Sequence, residues 1–358
     1  MKNEKKTIIL AGCLMGVIAS LLVHFGNPAN MGFCIACFLR DTVGGLGLHQ
    51  AKVVQYIRPE IMGLVLGSFM LAWTRNEFQG KGGSSPMTRF TLGFAVMVGC
   101  LMFLGCPFRM ILRLAGGDLN ALAGLAGFAA GIWAGIYFLT HGYSLKRTYK
   151  TSTGEGLVFP GLMVVLMIIL VSEPGLLLFT KAGGGPGGAH APIFISLMAG
   201  LIVGGLAQYT RMCMVGGIRD MLLFKDNKLL LGFIALFVSA LACNLLLTSC
   251  TEAHLFKLGL EKQPIAHTDG LWNFLGMALA GYGCVLLGGC PLRQLVLTGE
   301  GNTDSALTVV GLMAGAAFAH NWGLASSGAG PTFAGKVAVI LCLALVTAIA
   351  MAHSKRNS

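Results

Sequence analysis

The sequence predicts an all-α polytopic membrane protein: inverted repeats of transmembrane helices with four short re-entrant helical segments. Three observations lead there. The 358 residues are 55% hydrophobic and only 11% charged, with a mean hydropathy of +0.76, more apolar surface than one water-soluble core can hide. A thiol motif occurs twice: Gly105-Cys106-Pro107-Phe108-Arg109 returns 184 positions later as Gly289-Cys290-Pro291-Leu292-Arg293. The segments bearing such motifs are too short to cross a bilayer, which takes about 20 residues for roughly 30 Å of hydrocarbon.

Ten segments are long enough to span, near 7–25, 59–75, 87–105, 119–140, 157–179, 191–210, 228–249, 270–289, 304–322 and 333–353. The first follows Lys5 and Lys6 without a small-residue cleavage pattern, so it is expected to stay as a helix and not to be removed as a signal peptide. Four intervening stretches, 30–47, 106–116, 211–225 and 290–300, are too short, and they hold the duplicated motifs. Interrupted backbone at membrane depth is tolerated only where protein or a cavity surrounds it, because lipid cannot satisfy its free N–H and C=O groups. These four pieces are the expected pathway.

The duplication extends beyond the Cys-Pro peptide. Cys34, Arg40 and Asp41 reappear at the same spacing as Cys213, Arg219 and Asp220, and Cys100 and Cys284 lie six residues before Cys106 and Cys290. Gly127 and Gly131 are matched by Gly311 and Gly315 at the same offset, and with Gly200 and Gly204 these small-residue spacings suit close helix packing. The chain divides into a first repeat over 1–142, a linker, extra span and glycine-rich turn over 143–190, and a second repeat with a C-terminal span over 191–358.

With a cytoplasmic N-terminus, 16 of the 25 basic residues fall on the cytoplasmic face, from Lys5 and Lys6 to Lys355 and Arg356, as the positive-inside rule requires. The C-terminus is then cytoplasmic too. The net charge of +11 is accounted for by orientation, and no nucleic-acid recognition motif is present. Four spans in the first repeat and one extra span before the second make the repeats enter the membrane in opposite directions, an arrangement that places sites near the bilayer midplane. The hydrophilic loop 251–269 is balanced in charge and receives no function.

Proline is favoured at the first helical position, so Cys106 and Cys290 are expected at helix N-caps, facing free N–H groups and the positive end of the dipole. Arg109 and Arg293, three residues on, return to about the same face. A polarizable S–H donor suits a soft sulfur or selenium atom, and neutral donors hold an anion weakly enough to release it. The candidate pathway residues are Cys34, Cys106, Cys213, Cys290, Arg40, Arg109, Arg219 and Arg293, with Cys37, Cys100 and Cys284 secondary. Arg40 and Arg219 have a competing role, pairing locally with Asp41 and Asp220. Cys13, Cys243, Cys250 and Cys342 have no repeat partner and read as small buried hydrophobes. No metal, nucleotide or cofactor motif appears.

These paired motifs resemble the YeeE/YedE sulfur-transport family. The Cys34 to Asp41 stretch, the run from Gly44 to His49 and Tyr56-Ile57-Arg58-Pro59-Glu60 resemble its selenium-associated YedE branch most. The resemblance covers nearly the whole chain. It implies a bacterial inner-membrane importer of thiosulfate-like ions or a selenium compound, with Cys34, Cys106 and Cys290 relaying the anion and Cys213 as the symmetry-related candidate. It also implies a small cytoplasmic sulfur-carrier protein as partner. The rival readings are a membrane thiol oxidoreductase using Cys34 with Cys37 or Cys100 with Cys106, and a channel for another small anion such as formate.

Overall fold

The protein is an all-α polytopic membrane protein. The computed structural model describes residues 2–251 and 255–354; Lys355 and Arg356 of the charge count, and the extreme C-terminus, lie outside the described residues. The first half contains α1 (Lys2–His24), α2 (Ile35–Gly45), α3 (Pro59–Thr74), α4 (Pro86–Phe103), α5 (Pro107–Ala115) and α6 (Asn120–Thr140), followed by α7 (Thr153–Ser172). The second contains α8 (Ile193–Thr210), α9 (Met214–Phe224), α10 (Lys228–Cys250), α11 (Gly270–Leu286), α12 (Pro291–Gly299) and α13 (Thr303–Asn321), followed by α14 (Phe333–His353). Two residues of strand on each side, Lys81–Gly82 and Tyr149–Lys150, pair antiparallel at one end.

Ten helices occupy the ten expected spans, and among the described residues eight segments are by length and composition long and apolar enough to cross a membrane. The helix α3 has 16 residues, about 24 Å at 1.5 Å per residue, short of the roughly 30 Å hydrocarbon core. The helix α13 opens on Asp304 and Ser305, both buried, and is not among the eight. Each lies between protein neighbours, α3 against α8, α12 and α7, and α13 against α4, α12 and α2, so neither needs a lipid-compatible face all round. The extra span is also shorter than expected: α7 stops at Ser172, one residue before Glu173-Pro174, because a proline ring and its missing N–H end the helix.

Packing between the halves follows the duplication. The helix α3 packs on α8 as α10 packs on α1, and α6 packs on α11 as α13 packs on α4. Where α6 meets α11, a side chain at Gly131 would come within 2.0 Å of the Ala278 carbonyl; where α13 meets α4, one at Gly311 would come within 2.2 Å of the Phe90 carbonyl. Glycine is required at both because backbone touches backbone. Each outermost helix instead turns large apolar side chains outward, as Val158, Leu162 and Val165 of α7 do.

Gly131→Ala and Gly311→Ala are expected to lower stability by about 1–3 kcal/mol through overpacking, read as an earlier thermal transition in detergent. Gly161→Ala on α7, with open space around its missing side chain, is expected to leave the transition in place.

Candidate functional site

Four cysteines cap four short helices. Cys106 and Cys290 occupy the N-caps of α5 and α12 with proline at the first helical position, and extended backbone carries the chain into each. Cys34 and Cys213 occupy the N-caps of α2 and α9, a placement for which the sequence held no proline signal. Their thiols accept from the backbone N–H of Cys37 (3.3 Å) and Gly216 (3.5 Å), satisfying donors that a helix start leaves free. The Cys213 thiol also accepts from the Cys290 N–H at 3.4 Å.

In the second half two caps meet, the Cys290 N–H donating to the Cys213 thiol; in the first, Cys34, Cys37 and Cys106 lie in the same buried core, with Arg109 reaching the Cys37 sulfur. All four N-cap cysteines are buried. Cys100 lies on α4 and Cys284 on α11, which pack on each other. Seven thiols, Cys34, Cys37, Cys100, Cys106, Cys213, Cys284 and Cys290, thus share one contiguous buried core. Cys342 on α14 packs into the same core, Cys13 and Cys243 are half-buried, Cys250 is exposed, and every cysteine is a free thiol.

The arginines divide. Arg40 is buried and bonds Asp41 through Nε and Nη2, at 2.9 and 2.7 Å; Arg219 pairs with Asp220 at 2.8 Å in a half-buried setting. Both therefore make the local pair that competes with a pathway role. Arg109, fully buried, donates to the carbonyls of Asn30, Leu104 and Ile265 and lies 3.8 Å from the Cys37 sulfur. It staples the first thiol cluster together. Arg293 keeps one nitrogen free: Nη2 donates to Glu300 at 3.1 Å, while the buried Nη1 has no partner.

Several residues that matter were not singled out from the sequence. Arg58 donates to the second oxygen of Asp41 at 2.8 Å and to the Pro186 and Ala189 carbonyls, so Asp41 sits between two guanidiniums in the interior. A lone arginine directly before Pro59 in an apolar stretch was the available signal. Glu300 receives Arg211 at 3.1 Å, Arg293 at 3.1 Å and Lys81 at 3.6 Å. Beside it Glu77 pairs with Arg75 and Arg211; burial opposes its charge, yet these guanidiniums hold the carboxyl below its ordinary range. The loop 255–269 also acquires a role, covering the first cluster: Ile265 accepts from Arg109, and His267 Nε2 reaches the Met102 carbonyl at 2.8 Å. Burial pushes that imidazole's pKa down, and its carbonyl partner places the proton of the neutral ring on Nε2.

Residues 209–355 match the family model described as sulphur transport. The chain is similar to the Thiosulfate transporter TsuA of Escherichia coli (strain K12), 30% identical over 113 residues, which are 30% of this chain and 29% of that protein. It is also similar to the Thiosulfate transporter TsuA of Spirochaeta thermophila, 33% identical over 113 residues, 32% of each chain. The matched stretch spans about a third of the length of these curated relatives. The resemblance carried by the thiol motifs is supported at the level of sulfur transport, and not at the level of the selenium-associated branch.

The two Arg-Asp pairs, equivalent in sequence, should respond differently to mutation. Asp41→Asn leaves two buried guanidiniums without their carboxylate and is expected to cost roughly 3–5 kcal/mol; Asp220→Asn, in a partly solvated pair, is expected to cost at most about 1 kcal/mol. Thermal unfolding in detergent measures both.

Proposed function

We propose that the protein is a membrane transporter, and not an enzyme, that carries a small sulfur-containing anion of the thiosulfate type inward along its buried thiols. The observation that supports this reading is the gathering of seven buried thiols, four of them at helix N-cap positions, in one core that includes the meeting of α4 and α11. At the Cys106 and Cys290 caps, where no side chain accepts from the first turn, the N–H groups and the helix dipole favour negative charge. A neutral S–H donates weakly to a soft terminal sulfur, so an anion is handed from thiol to thiol by exchange of hydrogen bonds, with no covalent step. Arg293, with a free Nη1 beside the second pair, offsets the charge.

In this reading the repeats are inverted in the membrane, the four short helices are re-entrant, both termini are cytoplasmic and the membrane is the bacterial inner membrane. The parity of the spans and the charge distribution support that orientation. A selenium compound as the cargo is favoured by one specific feature, the stretch from Cys34 to His49 with Tyr56 to Glu60. A cytoplasmic sulfur-carrier protein as acceptor rests on family resemblance alone. Cys37, whose counterpart is Gly216, lies outside the symmetric set and serves the Arg109 staple.

Uptake by membrane vesicles offered thiosulfate, selenite, sulfite and formate side by side is expected to favour thiosulfate or selenite; preference for formate would overturn the sulfur reading. Cys106→Ala and Cys290→Ala should each cut uptake by about tenfold or more, with Cys342→Ala near wild type, and equal activity of all three would sink the relay. Cys37→Ser is expected to keep most uptake while Cys34→Ser loses it. A Cys34–Cys37 disulfide that forms and breaks with turnover, seen by alkylation and mass mapping, would favour the oxidoreductase. A tag inserted in the 251–269 loop should report the periplasm.

A further inference from the structure

We propose that the Glu300 carboxylate is a resident counter-anion in an anion-binding site formed by Arg211, Arg293 and Lys81, and that a small divalent oxyanion displaces it there on passing between solvent and the second thiol pair. The role in passage rests on the transport reading above; the binding site rests on the following geometry.

Charge balance comes first. Arg75, Lys81, Arg211 and Arg293 share two carboxylates, Glu77 and Glu300. The cluster therefore holds an excess of two positive charges. Arg75 and Arg211 are largely solvated, so the partly buried members are Lys81 and Arg293 around Glu300, one positive charge in excess; a dianion in place of the single carboxylate balances those two cations.

Position comes second. Arg211 is 51% exposed whereas Glu300 is 3% exposed, so the cluster runs from water to interior over the length of one guanidinium. Arg211 lies two residues before Cys213, and Arg293 lies three after Cys290. Arg293 folds back over the turn before α12, where a side chain at Gly289 would press on its Cγ and Cβ at 3.0 and 3.1 Å. Its Nη1 is buried without a partner, and it lies one helical turn beyond Cys290, whose N–H donates to the Cys213 thiol. That is an unused donor adjoining the thiols, on a guanidinium whose other nitrogen holds Glu300. An oxyanion replacing the carboxylate accepts from Arg211 and Arg293 and then gains Nη1 as it moves inward.

Repetition does not explain the cluster. The position equivalent to Glu300 in the first half is Gly116 and that equivalent to Arg211 is Gly32, while Arg109 is committed to three carbonyls. The site belongs to one mouth only.

Titration calorimetry of the purified full chain with sodium thiosulfate, and separately with sodium sulfate, tests the site without reference to transport. Glu300→Gln removes the competitor and is expected to tighten thiosulfate binding about tenfold; Arg211→Gln is expected to weaken it about tenfold; Glu300→Asp should stay near wild type. In uptake assays Glu300→Gln should lower KM and maximal rate together, since tighter binding slows release. A purely structural role for Glu300 would lower the maximal rate and leave binding unchanged or weaker. Unchanged or weaker binding in Glu300→Gln overturns the proposal, as does wild-type protein that binds neither anion. If Glu300→Gln fails to fold, Arg211→Gln decides, and unchanged affinity there overturns it. Wild-type protein that binds thiosulfate but does not take it up removes the transport reading and leaves the site standing.

Discussion

A helix that begins inside a membrane protein presents free N–H groups where no water is available to bind them, and this chain places cysteine at four such starts, with Cys34 and Cys213 accepting from the first turn and Cys106 and Cys290 leaving it open. Cys34, Cys106, Cys213 and Cys290 each stand at such a start. Serine or aspartate would cap more strongly. A thiol caps weakly, and its S–H stays open to other partners. Two further devices complete the arrangement: Pro107 and Pro291 remove one N–H each, and left-handed residues at Leu104 and Gly288 turn the chain out of α4 and α11 before α5 and α12 begin, so that α5 packs on α10 and α6 and α12 on α3 and α13. The α4–α11 contact carries Cys100 and Cys284 in the same buried core.

The halves share this plan and differ in their charges. In the first half, Arg109 is locked onto carbonyls and Asp41 between Arg40 and Arg58, all in the interior. The second half has Arg219 and Asp220 partly solvated and a surplus of cations around Glu300. One cluster is braced by fixed bonds; the other is held by ion pairs that compete with one another.

What was legible in the sequence was whatever repeats or has a strong local rule. Proline after cysteine gave the N-caps of α5 and α12, and the glycine spacings marked α6 and α13 as closely packed helices without naming their partners, because both follow from backbone geometry alone. The caps at Cys34 and Cys213 were hidden since cysteine without proline carries no helix-start signal. Arg58 reaches Asp41 and Glu300 reaches Arg211 only through tertiary packing, across 17 and 89 residues, and neither is duplicated. Length and apolarity alone do not mark α3 and α13 as spans, because α3 has only 16 residues and α13 carries Asp304 and other polar residues in its first turns; the duplication, which pairs them with α10 and α6, does.

The glycine seams carry a mechanical consequence. Along α6 against α11 and α13 against α4, carbonyls sit where side chains would otherwise act as a compliant layer. Two rods in backbone contact over several turns resist sliding and tilting, since any displacement drives atoms together before it opens a gap. Helix pairs seamed in this way favour small local rearrangements over rocking of one bundle on another. In the transport reading proposed above, passage falls to the smallest moving parts, rotation about the χ1 of a thiol and the swing of a guanidinium, whose rearrangements are fast and local.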